Sequence, residues 1–199
     1  MFFINFEEMT NIDWLILITT FFSYVFIYLA VRKNKGRGQS FFTWGMWLVL
    51  DIILLIPTIE EGGKSSLMIY ASILGSFFIS LFLFKLKKIE WEINEWISFA
   101  LIIAMVVIWY FSKNNDFVIV CGVASQVAAG MPLTVKSWQE PEPKYILGYS
   151  FFVLGCIFSL TLEKSAFEKL SLEDHLFPAV LGVQTIAEII PLVKKLKRK

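Results

Sequence analysis

Seven long apolar runs, separated by short polar segments, organise the chain: 14–31, 41–57, 67–84, 96–111, 117–135, 145–162 and 176–193. Within each run the apolar residues are continuous rather than alternating, which excludes a transmembrane β-barrel. A helix needs about 20 residues to cross a hydrocarbon layer ~30 Å thick, so runs of this length predict membrane-spanning helices. Several are slightly short. Their last turns are completed by Tyr28, Tyr110, Trp138 and Lys85, residue types that sit at headgroup level or snorkel toward it. The expected fold is an all-α membrane protein with seven transmembrane helices.

Composition supports this reading. Hydrophobic residues make up 57% of 199 residues and the mean hydropathy is +0.67. A soluble core of this size cannot hide that much apolar side chain, so lipid must solvate part of it. The net charge of +1 conceals a strong polarity along the chain. Threading seven spans puts fourteen of the eighteen Lys and Arg residues on one side. They are Arg32, Lys33, Lys35 and Arg37, then Lys85, Lys87 and Lys88, then Lys136 and Lys144. The tail adds Lys194, Lys195, Lys197, Arg198 and Lys199. The other side has only Lys64, Lys113, Lys164 and Lys169. Cationic loops stay cytoplasmic, which predicts a cell (inner) membrane protein with its N-terminus outside and its C-terminus inside. This basicity reflects topology and contact with anionic lipid, not a nucleic-acid footprint. The segment 1–8 has two acids and no cationic region, so the first span is expected to act as the targeting signal. Cys121 and Cys156 fall inside predicted spans without metal-ligand spacing and read as buried thiols. No metal and no cofactor is expected. The 163–171 segment has the charge pattern of a short interfacial helix.

The chain also repeats itself. At an offset of 104 residues, Val31 meets Val135, Arg32 meets Lys136, Phe41 meets Tyr145, and Val49 and Leu50 meet Val153 and Leu154. Each half runs helix, short basic loop, helix, and each third helix ends in a basic cluster. Both halves begin outside and end inside, which makes them parallel repeats and requires one connecting helix between them. The expected division is residues 1–88, a linker helix over 89–113, and residues 114–199: two parallel three-helix bundles joined by a linker. Glu90, Glu92 and Glu95 stand at the start of that linker, where the helix dipole favours carboxylates.

This 3+1+3 layout resembles the SWEET sugar transporters and the wider PQ-loop group. The segment Gly130, Met131, Pro132, Leu133, Thr134, Val135, Lys136, Ser137, Trp138 is similar to the proline-bearing motif that closes the first helix of a repeat in that group. In the first half Tyr28 stands where the second has Pro132, and no Pro-Gln pair occurs. The segment from Ser40 to Asp51 also resembles one found in small bacterial membrane proteins of unassigned function. The SWEET resemblance implies a transporter or facilitator for a small solute, with its site between the bundles and Pro132 as a hinge.

Polar residues inside the spans are the candidates for chemistry. Asp51 lies about 18 Å of helical rise beyond the preceding loop, where a charge is costly against lipid. Trp44, Trp47 and Asp51 share one face of a helix, which suits a polar solute that can stack. Alternatively, Asp51 is a structural hydrogen-bond partner and Trp44 an interfacial anchor. Glu188 and Gln184 share a face of the last helix. Glu188 is either a proton-coupling group or a carboxylate snorkelling to Lys194 or Lys195. Gln126 must find a partner or line water. Ser72, Ser76 and Ser80 recur every four residues beside Gly75, a packing stripe or a solute-lining one. His175 reads as a surface residue. The expected substrate-binding set is Trp44, Trp47, Asp51, Gln126 and Gln184.

No nucleophile elbow, phosphate-cradling loop or zinc pattern is present, so an enzyme is not expected. Two other readings stay open. One is a vitamin-precursor carrier similar to the nicotinamide-riboside carriers, suggested by the tryptophans. The other is a non-transporting membrane protein that binds a partner or lipid. A homo-oligomer is compatible with each.

Overall fold

The computed structural model describes residues 9–60, 66–86, 91–112, 115–161 and 172–198. Lys64, Lys87, Lys88, Glu90, Lys113, Lys164, Lys169, Lys199, the expected 163–171 helix and the side chain of His175 lie outside the described residues. Within them the fold is all-helical: α1 (Asn11–Asn34), α2 (Phe41–Glu60), α3 (Ser66–Lys85), α4 (Ile93–Ser112), α5 (Asn115–Gln139), a short turn of 3-10 helix (Pro143–Tyr145), α6 (Ile146–Thr161) and α7 (Leu172–Leu196). Each expected apolar run coincides with one helix.

Most helices extend beyond their apolar run because polar residues finish the turns. Thr10 caps α1 in a reciprocal box: its hydroxyl accepts from the Asp13 backbone N–H, and the Asp13 carboxylate accepts from the Thr10 backbone N–H. The same helix ends at Lys35, whose φ of 50° turns the chain left-handed, and Gly36 N–H then closes on the Val31 carbonyl at 3.0 Å. The α2 run, expected to stop at Pro57, continues to Glu60.

Two helices are inside out by the standards of a soluble protein. α1 buries Thr19, Thr20, Ser23 and Tyr24 and exposes Leu15, Ile18, Phe21, Phe22 and Leu29. α3 buries Ser72, Ser76 and Ser80 and exposes Leu74, Phe77, Phe78, Leu81 and Phe84. An apolar surface of this extent needs an apolar solvent. Four helices, Asn11–Asn34, Leu67–Lys85, Pro143–Thr161 and Leu176–Leu196, are long and apolar enough to cross a membrane. These features are compatible with a membrane protein.

The packing order is specific. α3 packs against both α1 and α2, and α7 packs against both α5 and α6. α1 lies along α6, α2 along α5, and α4 packs chiefly on α5. Glycines allow the close crossings. A Cβ on Gly148 of α6 would stand 2.9 Å from the Ile27 backbone nitrogen and 3.1 Å from the Ser23 carbonyl of α1. The largest core cluster gathers Tyr24, Ile27, Trp44, Ile79, Tyr149 and Leu192 from five helices around the centre.

Candidate functional site

Trp44, Trp47, Asp51, Gln126, Gln184 and Glu188, singled out from three separate stretches of sequence, line one cavity of about 30 Å³. The lining comes from six helices: Tyr24 and Ile27 on α1, the three residues of α2, Ser72 on α3, Gln126 on α5, Tyr149 and Phe152 on α6, and Leu181, Gln184, Thr185 and Glu188 on α7. Among the described residues α4 contributes none. As it stands the cavity has room for a group of one or two waters.

The polar side chains are wired to the backbone of α5. Gln126 Nε2 donates to Asp51 Oδ1 at 2.7 Å. Trp47 Nε1 donates to the Gln126 carbonyl at 2.9 Å, and Gln184 Nε2 donates to the Val127 carbonyl at 3.3 Å. Pro132 has no N–H for the carbonyl four residues before it, that of Ala128, the residue after the Val127 acceptor. Pro132 itself is buried and does not line the cavity. Gly130 makes the space: a Cβ there would run into the Gln184 amide and stand 2.9 Å from the Trp47 ring.

The two carboxyl groups are deeply buried, Asp51 with 3% exposure and Glu188 with 1%. Among the described residues neither has an ion-pair partner, and each accepts one hydrogen bond, Asp51 from Gln126 and Glu188 from the Thr134 hydroxyl at 3.1 Å. Placing an unpaired carboxyl at this depth costs several kcal/mol (roughly 2.5–3.5 on insertion scales) unless it faces a polar interior. Both face the cavity. The snorkelling alternative for Glu188 does not hold, because the nearby cations are engaged elsewhere. Lys195 donates to the Pro141 carbonyl at 2.6 Å, and Lys194 lies over the Trp138 ring. Nor is Trp44 an interfacial anchor: it is 1% exposed, and its indole donates to Gln39 Oε1 at 2.8 Å.

Aromatic rings form the remaining wall. Trp44 meets Trp47 edge-on at 5.1 Å and Tyr24 at 6.0 Å, and Tyr24 meets Phe152 at 6.1 Å. Gln39, between α1 and α2, bridges two of the lining residues: it donates to the Tyr149 hydroxyl at 3.1 Å and accepts from the Trp44 indole. One layer further out, the Tyr145 hydroxyl donates to the Arg37 carbonyl at 2.8 Å and Lys144 to Asn34 Oδ1 at 2.6 Å. Tyr24, Tyr149, Phe152 and Gln39 were not singled out by sequence. Among 20 Phe and 6 Tyr residues, nothing local separates a ring that lines a cavity from one that meets lipid. Ser72 of the serine stripe reaches the cavity, whereas Ser76 and Ser80 are buried away from its lining. Cys121 and Cys156 are buried free thiols.

Comparison of the chain with protein-family models, with curated proteins and with solved structures found no match.

Proposed function

We propose that the protein is a seven-span membrane transporter or facilitator for a small solute, of SWEET/PQ-loop type, with its site between two parallel three-helix repeats joined by α4. The observation that carries this reading is the cavity: six helices converge on it, three from each half, and the linker does not. The packing order supports it. Exchanging α1 with α5, α2 with α6 and α3 with α7 maps the packing pairs among these six helices onto themselves, so α1 against α6 becomes α5 against α2. α1 and α5 also begin 104 residues apart, the offset of the sequence repeat. A polar cavity on the axis relating two parallel repeats is where an alternating-access carrier binds its solute.

In this reading the N-terminus is outside, the basic α1–α2 and α5–α6 turns are cytoplasmic, and the Gln39–Trp44–Tyr149 contacts form the cytoplasmic barrier. The halves must part for a solute larger than the present cavity to enter, and Pro132 is the hinge in α5. Residues 1–88 and 114–199 are then the moving units and 89–113 the tether.

Two measurements test this. In a Cys121→Ser/Cys156→Ser background, an impermeant thiol reagent added outside should label Lys164→Cys and not Lys35→Cys; the reverse pattern rejects the orientation. Purified protein in liposomes should accumulate at least one compound from a panel of sugars, nucleosides, vitamin precursors and organic cations, and Asp51→Asn should reduce that uptake about tenfold or more. Failure of every panel member to enter above empty liposomes counts against transport.

A further inference from the structure

We propose that the cavity recognises a small organic cation, a group of the ammonium type. This inference deepens the transport reading and rests on it for the site's location. Three acceptor atoms of the site are without a hydrogen bond, beside the hydroxyls of Tyr24, Ser72 and Tyr149 that also line it. Asp51 and Glu188 each accept a single hydrogen bond, which leaves Asp51 Oδ2 and Glu188 Oε2 without one. Gln184 Oε1 is buried and has no partner. All three atoms are acceptors on residues that line the same cavity. The two indole donors are already committed, Trp44 to Gln39 and Trp47 to the Gln126 carbonyl. An ammonium group presents donors or positive charge only.

The charge balance points the same way. No Lys or Arg is among the residues lining the cavity. The nearest basic side chains are held outside it: Lys136 on Glu92 and Glu95, Lys144 on Asn34, Lys195 on Pro141. Two buried carboxylates without a protein cation beside them would gain their missing counter-charge from a cationic ligand. The walls then add what a cation with an apolar body needs. Tyr24, Trp44, Trp47, Tyr149 and Phe152 line the same cavity as the two carboxyl groups. A cation over such rings gains cation–π attraction that strengthens when water is excluded.

The test uses the full-length protein in detergent or nanodiscs, with choline as the probe. Its control is the neutral carbon isostere of choline, in which a quaternary carbon replaces the nitrogen. Calorimetry and thermal unfolding should give choline at least about tenfold tighter binding than the isostere. Asp51→Asn and Glu188→Gln should each weaken choline about tenfold and leave the isostere unchanged. If Asp51→Asn fails to fold, the isostere contrast on the unsubstituted protein and Glu188→Gln still decide the matter. Equal affinity for choline and its isostere, undiminished choline binding in both variants, or no choline binding at all overturns the inference. The two proposals fail separately. Uptake of a neutral solute without choline binding removes the cation site and keeps transport. Carboxyl-dependent choline binding without uptake into liposomes keeps the cation site and removes transport.

Discussion

Gly148→Val should unfold or strongly destabilise the protein, whereas Gly45→Ala should leave it unchanged or slightly more stable. Gly45 lies in α2 and Gly148 in α6, yet their surroundings are opposite. At Gly148 an added Cβ meets the backbone of α1, the Ile27 nitrogen at 2.9 Å and the Ser23 carbonyl at 3.1 Å. A flexible side chain could swing away from it; a helix backbone cannot. α1 would have to retreat from α6 along a crossing that also carries Gly155, whose Cβ would stand 2.9 Å from Thr20 Oγ1. Overpacking of this kind costs about 3 kcal/mol when no rotamer can absorb it. In a membrane no hydrophobic effect between helices offsets the loss, since association rests on close packing. At Gly45 nothing lies within 4 Å of the added carbon, so only backbone propensity changes, by up to about 1 kcal/mol in favour of Ala. Thermal unfolding in one detergent, together with monodispersity on size exclusion, checks the pair. Equal melting temperatures for the two variants would falsify the close α1–α6 crossing.

That crossing also marks the boundary of what can be read from the chain. Helix positions are legible because each apolar run is continuous and too long for a strand. The convergence of Trp44, Trp47, Asp51, Gln126, Gln184 and Glu188 is legible for a related reason. A polar group in an apolar span has to turn away from lipid, and six such groups on three helices have one interior to share. Partners are a different matter. Glu188 has Lys194 and Lys195 one to two turns away in sequence, yet its hydrogen bond comes from Thr134, 54 residues away. Gln39 stands in a turn that looks like a plain connector, and its partner Tyr149 is 110 residues away. Such pairings depend on which helix lies beside which, and hydrophobic pattern says nothing about that. The glycines mark it afterwards: Gly130 stands where α5 meets α7 and α2, and Gly148 where α6 meets α1, but in sequence they look like other small residues of an apolar helix.

Lys136→Met should destabilise the protein by about 3 kcal/mol, because it leaves the Glu95 carboxylate buried without its cation. Glu95 has no exposed surface, and its environment is assembled from three elements. Lys136 at the end of α5 approaches it at 3.1 Å, the Ser40 hydroxyl at the start of α2 donates to it at 3.1 Å, and the Glu92 backbone N–H donates at 3.1 Å. The second contact of Lys136, with the more exposed Glu92 at 3.5 Å, contributes less because water screens it. The arrangement ties the first turn of α4 to α5, its chief packing partner, and to α2. Methionine keeps much of the lysine's length and apolar stem, so the loss reports the charge and not a cavity. Glu95→Gln on the Lys136→Met background removes the orphaned charge and should restore more than half of the lost stability. The four proteins of this double-mutant cycle are compared by thermal or denaturant unfolding in the same detergent. A double variant no more stable than Lys136→Met alone would mean that the pair does not hold α4 in place. The apolar contacts of Phe42, Leu50 and Ile102 with Ala128 and Ala129 would then be the attachment.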